Sequence, residues 1–206
     1  MDIRSRLQES AQQLAVVLTQ TQVDLLMAYL EMIQKWNKAY NLVGTSNANE
    51  LLQKHIVDSL SLVPYIKKSP VLDVGSGAGL PGIPLAICLP DISFTLLDSN
   101  GKKARFMRQV AMDLKLSNVE IVQTRVENYQ PSEAPKTVLS RAFAPLNKAL
   151  KMLSAVCAPQ GQVQIMLGAQ PDELPVLDGI NDIQVQSVTI PGLDSQRHLL
   201  IADRAW

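Results

Sequence analysis

Val71-Leu72-Asp73-Val74-Gly75-Ser76-Gly77-Ala78-Gly79 reads as a short buried strand, an acid near its end and a glycine-spaced turn opening into a helix. In a doubly wound α/β sheet this arrangement brings backbone close to a nucleotide-like ligand at the carboxyl end of the first strand. The glycines alone leave the ligand open. Gly75, Gly77 and Gly79 give G-x-G-x-G, while Gly77, Gly79 and Gly82 satisfy the G-x-G-x-x-G of dinucleotide sites. Asp73 separates the two readings, because a carboxylate just before the first glycine repels a pyrophosphate lying on the loop. It suits a ligand with cationic groups, such as S-adenosylmethionine with its sulfonium and ammonium, whose carboxylate would lie near N–H groups at the following helix start. The alternative for Asp73 is structural, a hydrogen-bond acceptor for the loop amides.

Working outward, Ile92 to Leu97 forms a β-branched and apolar run ending in Asp98, roughly 20 residues past the loop, where such folds place a carboxylate on ribose hydroxyls. The alternative is a solvated acid at a strand end. From residue 71 onward strand-like runs at 71–74, 92–97, 119–123, 137–140 and 162–167 alternate with helical segments, which predicts a parallel sheet with right-handed crossovers. The end of the chain breaks that rhythm. Gln184 to Ile190 and Arg197 to Ala202 read as strands joined by a loop too short for a helix, so the last strand runs antiparallel to its predecessor. From Leu7 to about Val63 the pattern is helical: Leu14, Val17 and Leu18, then Val23, Leu26, Met27, Leu30 and Ile33, then Leu51, Leu52, Ile56 and Leu60. Thr21 is the expected N-cap of the second helix, and Asn41 to Asn49 a loop. The expected organisation is one domain, with residues 1–67 a helical extension and 68–206 the ligand-binding core.

With 206 residues, 47% of them hydrophobic, the chain can fill a sizeable core and is not disordered. Cys88 and Cys157 lie in apolar segments without paired spacing, which argues for a reducing compartment and against a disulfide framework or metal site. Residues 1–10 are polar and no apolar run reaches membrane-span length, so a cytoplasmic location is expected, with no membrane partner. Nineteen basic and nineteen acidic residues cancel, so any nucleic-acid contact must come from a local patch. The best candidate is Lys102, Lys103, Arg105 and Arg108, on a predicted helix whose Phe106, Met107, Val110 and Leu114 gather on the opposite side. An ordinary solvated helix face is the competing reading. His55 and Asp58 lie one helical turn apart, which suggests acid–base chemistry, but a helix-surface or core histidine is the commoner outcome, so no catalysis is assigned to the pair, and no further ligand completes a zinc set.

Val71 to Leu85, Phe94 to Ser99 and Ser140-Arg141-Ala142-Phe143, together with Trp36 to Leu42 and His55 to Leu60, closely resemble the bacterial small-subunit ribosomal RNA methyltransferase G family. The resemblance implies a Rossmann-like, class I S-adenosylmethionine-dependent methyltransferase, mostly parallel with a reversed C-terminal strand and preceded by helices. It implies methylation of N7 of a guanine in 16S ribosomal RNA, with the RNA or the small ribosomal subunit as partner and DNA not expected. Carried onto matching positions, the cofactor set is Gly75, Leu80, Asp98, Val126, Glu127 and Arg141. Arg141 would alternatively touch substrate, and Val126-Glu127 would alternatively be a helix-start contact.

The chemistry agrees by what is missing. Exocyclic-amine methyltransferases carry Asn or Asp before Pro-Pro and an aromatic where this chain has Ser140 to Phe143, and C5 methylation needs a cysteine nucleophile at a strand end. Cys88 and Cys157 are expected inside helices. Guanine N7 has an in-plane lone pair and no proton to remove, so orientation supplies most of the acceleration. Two other functions compete: a dinucleotide-dependent oxidoreductase, through Gly77, Gly79 and Gly82, and a noncatalytic ribosome-associated module.

Overall fold

The computed structural model describes residues 2–141 and 144–205. Ala142 and Phe143 of the fourth-strand motif therefore lie outside the described residues. Seven strands form one sheet: β1 (Val71–Val74), β2 (Phe94–Leu97), β3 (Val119–Val122), β4 (Thr137–Arg141), β5 (Gln162–Leu167), β6 (Ile180–Val188) and β7 (Arg197–Arg204). Their order is β3-β2-β1-β4-β5-β7-β6. The first five are parallel, and β7 is antiparallel to both β5 and β6. The predicted reversal at the end of the chain is therefore present, with β6 beginning four residues before the expected Gln184, among polar residues on an open sheet edge.

Helices α5 (Gly82–Cys88), α6 (Gly101–Asp113) and α7 (Leu146–Val156) supply crossovers. Ahead of the sheet come α1 (Ile3–Gln13), α2 (Gln20–Tyr40), a single turn α3 (Ala48–Leu51), a π-helical segment Leu52–Val57 and the short α4 (Asp58–Leu60). Thr19, not Thr21, caps α2: its hydroxyl accepts the Gln22 N–H and the Gln22 side chain accepts the Thr19 N–H, a reciprocal capping box. Asn41, in the left-handed conformation at φ 49°, ends that helix.

Two apolar cores flank the sheet, and the period-2 alternation of β1 divides its residues between them. Val71 joins Leu26, Leu30, Ile33, Ile56, Ile83, Phe94 and Phe106 on the side of the N-terminal helices. Leu72 and Val74 join Val138, Leu150, Leu153 and Val163 on the side of α7. The helical extension is thus built into the sheet's first core. Trp36 of α2 packs against Phe106 of α6 with ring centroids 5.5 Å apart and planes tilted by 60°, and the buried Tyr29 hydroxyl donates to the Ala78 carbonyl at 2.7 Å, bracing the glycine loop from behind.

Candidate functional site

The loop after β1 turns sharply enough to need its glycines: Gly75, Gly77 and Gly79 all have positive φ, of 72°, 61° and 90°. Gly82 serves packing. A β-carbon there would stand 1.9 Å from Leu96 Cδ2 and 2.8 Å from Asp73 Oδ2. This is the helix–strand contact that the third glycine of a dinucleotide fingerprint makes, so glycine spacing does not discriminate between the ligands.

Asp73 takes the structural role. On the same face of β1 as Val71, it is fully buried beneath α5, and Oδ2 accepts the Gly82 N–H at 2.9 Å. Burial pushes its carboxyl up to about 7, against the opposing pull of the Gly82 hydrogen bond. Fully buried and with its charge weakened near neutral pH, Asp73 is not among the residues that line the ligand cavity. Its influence is exerted through the helix start. Pro81 and Pro84 have no N–H, the Gly82 N–H is spent on Asp73, and the Ile83 N–H donates to the Gly79 carbonyl at 2.7 Å. No donor in this first turn remains for an anion, which corrects the expectation that a ligand carboxylate rests there and gives the two prolines a physical reason.

A cavity of about 530 Å³ opens above the loop at the carboxyl edge of the sheet, within the usual range of about 300–1,000 Å³ for small-molecule sites. Gly75, Leu80, Asp98, Val126, Glu127 and Arg141 all line it. Asp98, at the end of β2, uses Oδ2 to accept the Gly77 N–H at 2.9 Å and Oδ1 to accept the Asn100 N–H at 2.8 Å. A carboxylate has about four lone-pair sites, so capacity remains for two hydroxyls from the cavity. Val126 and Glu127 belong to a 3₁₀ turn, Val126–Asn128, after β3. Leu42 and Val43 form the opposite wall, on a loop that Asn37 fixes by donating to the Val43 and Thr45 carbonyls and accepting the Val43 N–H. Sequence reasoning gave this wall no role, although Leu42 closes the stretch Trp36 to Leu42 that carries the family resemblance.

The predicted basic patch divides. Lys102, Arg105 and Arg108 are exposed on α6, with Arg105 and Arg108 bordering a second groove beside Gln109, Met112 and Gln123. Lys103 turns away to the cavity, its Nζ 3.9 Å from Asp98 Oδ2. His55 and Asp58 are brought to Arg141, at 3.1 Å and 3.8 Å from Nη1. Neither thiol is available as a nucleophile: Cys88 in α5 is pushed up to about 12 by burial, and Cys157, just past α7 and not inside it, to about 11.

Strand order and reversed β7 define the class: an S-adenosylmethionine-dependent methyltransferase fold. The structure matches the methyltransferase SibL with a TM-score of 0.61, 15% identity and coverage of 97% of this chain and 74% of that one. Magnesium protoporphyrin IX methyltransferase from Synechocystis matches with a TM-score of 0.58, 13% identity and coverage of 86% and 97%. A family model described as rRNA small subunit methyltransferase G matches residues 22–200. Ribosomal RNA small subunit methyltransferase G of Nitrosococcus oceani is 46% identical over 91% of this chain and 88% of its own, and that of Salmonella paratyphi B is 48% identical over 90% and 91%. The chain belongs to the rRNA small subunit methyltransferase G family, S-adenosylmethionine-dependent enzymes that methylate a guanine of 16S ribosomal RNA. The oxidoreductase alternative is thereby set aside.

Proposed function

We propose that the protein transfers a methyl group to N7 of the target guanine, with the donor held in the cavity over the glycine loop. The observation that carries this reading is the convergence of Gly75, Leu80, Asp98, Val126, Glu127 and Arg141 on one cavity, from four separate strand ends. The fit to the donor rests on chain features. Asp98 has acceptor capacity for the ribose diol, positive φ at Gly75 and Gly77 brings backbone to the cavity floor, and Val126 offers an apolar edge to the adenine. S-adenosylmethionine supplies an electrophilic methyl on its sulfonium.

The protein's task is orientation. Since N7 has no proton to lose, neither carboxylate of the cavity need act as a base, and a rigid wall suffices. Tyr29 and Asp73 brace the loop below, and Asn37 fixes Leu42 and Val43 above. Arg141 stands at the boundary between donor and substrate. RNA approach is supported by the exposed stripe Lys102, Arg105 and Arg108, with Lys103 assigned instead to the donor cavity through Asp98. Among the described residues no helix is long and apolar enough to cross a membrane, and the proposed setting is the cytoplasm, where ribosomal subunits are assembled.

The test is methyl transfer to small subunits from a strain lacking the enzyme, followed by mapping of the modified base. Methylation at guanine N7 is expected. Methylation at another atom of the base would overturn the assignment.

A further inference from the structure

Because β7 runs antiparallel to β5, its first residue arrives at the sheet edge where β4 and β5 end. Arg197 opens β7, Arg141 closes β4, and the register links them through Met166, which pairs with both Arg141 and Leu199. From the N-terminal side, the π-helical segment and the start of α4 bring His55 and Asp58 to the same point. π-helical turns are rare and are found disproportionately at functional sites.

Asp58 is shared between two guanidinium groups. Oδ1 lies 3.5 Å from Arg197 Nε and Oδ2 lies 3.8 Å from Arg141 Nη1. His55 Nδ1 is 3.1 Å from the same Arg141 nitrogen, and since arginine only donates, the ring must accept. Burial, reinforced by the Arg141 charge, holds His55 down to about 4, so it is neutral at ordinary pH. Burial pushes the Asp58 carboxyl up, against the pull of both guanidiniums, so the cluster sets two positive charges against at most one negative. A purely structural ion pair balances its charges, because an uncompensated one in a poorly hydrated place is disfavoured. Here the arginine side chains are 27% and 25% exposed, open enough to meet a ligand and too enclosed for full hydration. Arg197 is further fixed by donating to Ser195 Oγ at 2.9 Å.

We propose that Arg197 is a phosphate contact for the target RNA, held beside the donor cavity by an Asp58 carboxylate that it shares with Arg141. This deepens the proposed function and rests on it. The guanidinium fork matches phosphate geometry, and a contact to the backbone beside the target guanosine fixes register without touching N7. Asp58 and His55 are positioning residues: Asp58 spaces the two arginines, and His55 orients Arg141.

Steady-state methyl transfer on small-subunit RNA, run across a salt series with donor affinity measured separately by calorimetry, tests this. Arg197→Gln should raise KM for RNA by about tenfold, the equivalent of about 1.4 kcal/mol, while donor affinity stays within about twofold. It should lessen the salt dependence by about 0.7 in log–log slope, the share of one phosphate contact. Arg197→Lys keeps the charge beside Asp58 and should restore the slope while recovering KM only in part, since the fork is lost. If Arg197→Gln does not fold, the lysine variant carries the test alone: a raised KM with parental slope and donor affinity supports the proposal. Parental KM in either folded variant, or a loss confined to donor binding, overturns it. A wild-type protein that methylates no small-subunit RNA defeats the functional reading itself, whereas an active wild type with an indistinguishable Arg197→Gln variant defeats only the phosphate contact.

Discussion

Asp73 and Asp98 are acids at the carboxyl ends of neighbouring parallel strands, and the structure gives them opposite work. Asp73 lies under α5, its charge weakened by burial and its Oδ2 committed to the Gly82 N–H. Asp98 lines the cavity, held by two backbone donors and with acceptor sites to spare. The strand fixes where a carboxylate starts, and the element stacked on that face fixes what it does. One carboxylate shapes the loop and removes the helix start as an anion site; the other faces the ligand.

Breaking the first half of that contrast should have the largest effect. Gly82→Ala drives a methyl group into Leu96 and Asp73, and about 1–3 kcal/mol of stability should be lost by urea denaturation. Parental stability would show that α5 has room to lift, and that its close seating on Asp73 is not required. The same contact sets a pH response of comparable size. Folding holds a proton on Asp73 up to about 7 that the unfolded chain releases near 3.8, so this group's contribution to stability is present at low pH and lost as pH rises through that window. Asp73→Asn should accept the same Gly82 N–H through its amide oxygen and abolish this decline. His55 acts in the opposite sense: the unfolded chain takes up its proton near 6.5 and the fold only near 4, so its contribution fades as pH falls between them. The asparagine variant should keep that acid-side limb and lose the Asp73 share of the decline at higher pH, leaving there only the contribution of Asp58, whose carboxyl burial also pushes up, read from urea midpoints between pH 4 and 8. The smallest effect concerns the surface. Lys102→Ala with Arg105→Ala should flatten the salt dependence of RNA methylation by up to about 1.4 in log–log slope, leaving donor affinity alone. An unchanged slope would make the α6 stripe an ordinary solvated face.

Much of the fold was legible because its signals are local. β1 and β5 fall at the expected residues, and the short Pro191–Gln196 connection announced the reversed strand. All six residues carried over as a cofactor set meet at one cavity. Asp73 was misread for a physical reason: β1 is buried on both faces, so its sequence lacks the polar alternation that would have shown which side the carboxylate takes. The true cap of α2 was in plain view as Thr19-x-x-Gln22, overshadowed by a second threonine. Nothing local announced the meeting of His55, Asp58, Arg141 and Arg197. It depends on a π-helical segment, for which the chain carries no distinctive pattern, and on the antiparallel register that returns Arg197 to the edge where Arg141 ends.

The contrast between the two acids is tested most directly by titrating S-adenosylmethionine calorimetrically into Asp98→Ala and Asp73→Asn beside the parent protein. Loss of about 1–3 kcal/mol of binding free energy is expected in the first, from a charge-assisted hydrogen bond, and parental affinity in the second. Undiminished affinity in Asp98→Ala together with weakened affinity in Asp73→Asn would place the donor against the wrong carboxylate and contradict the account.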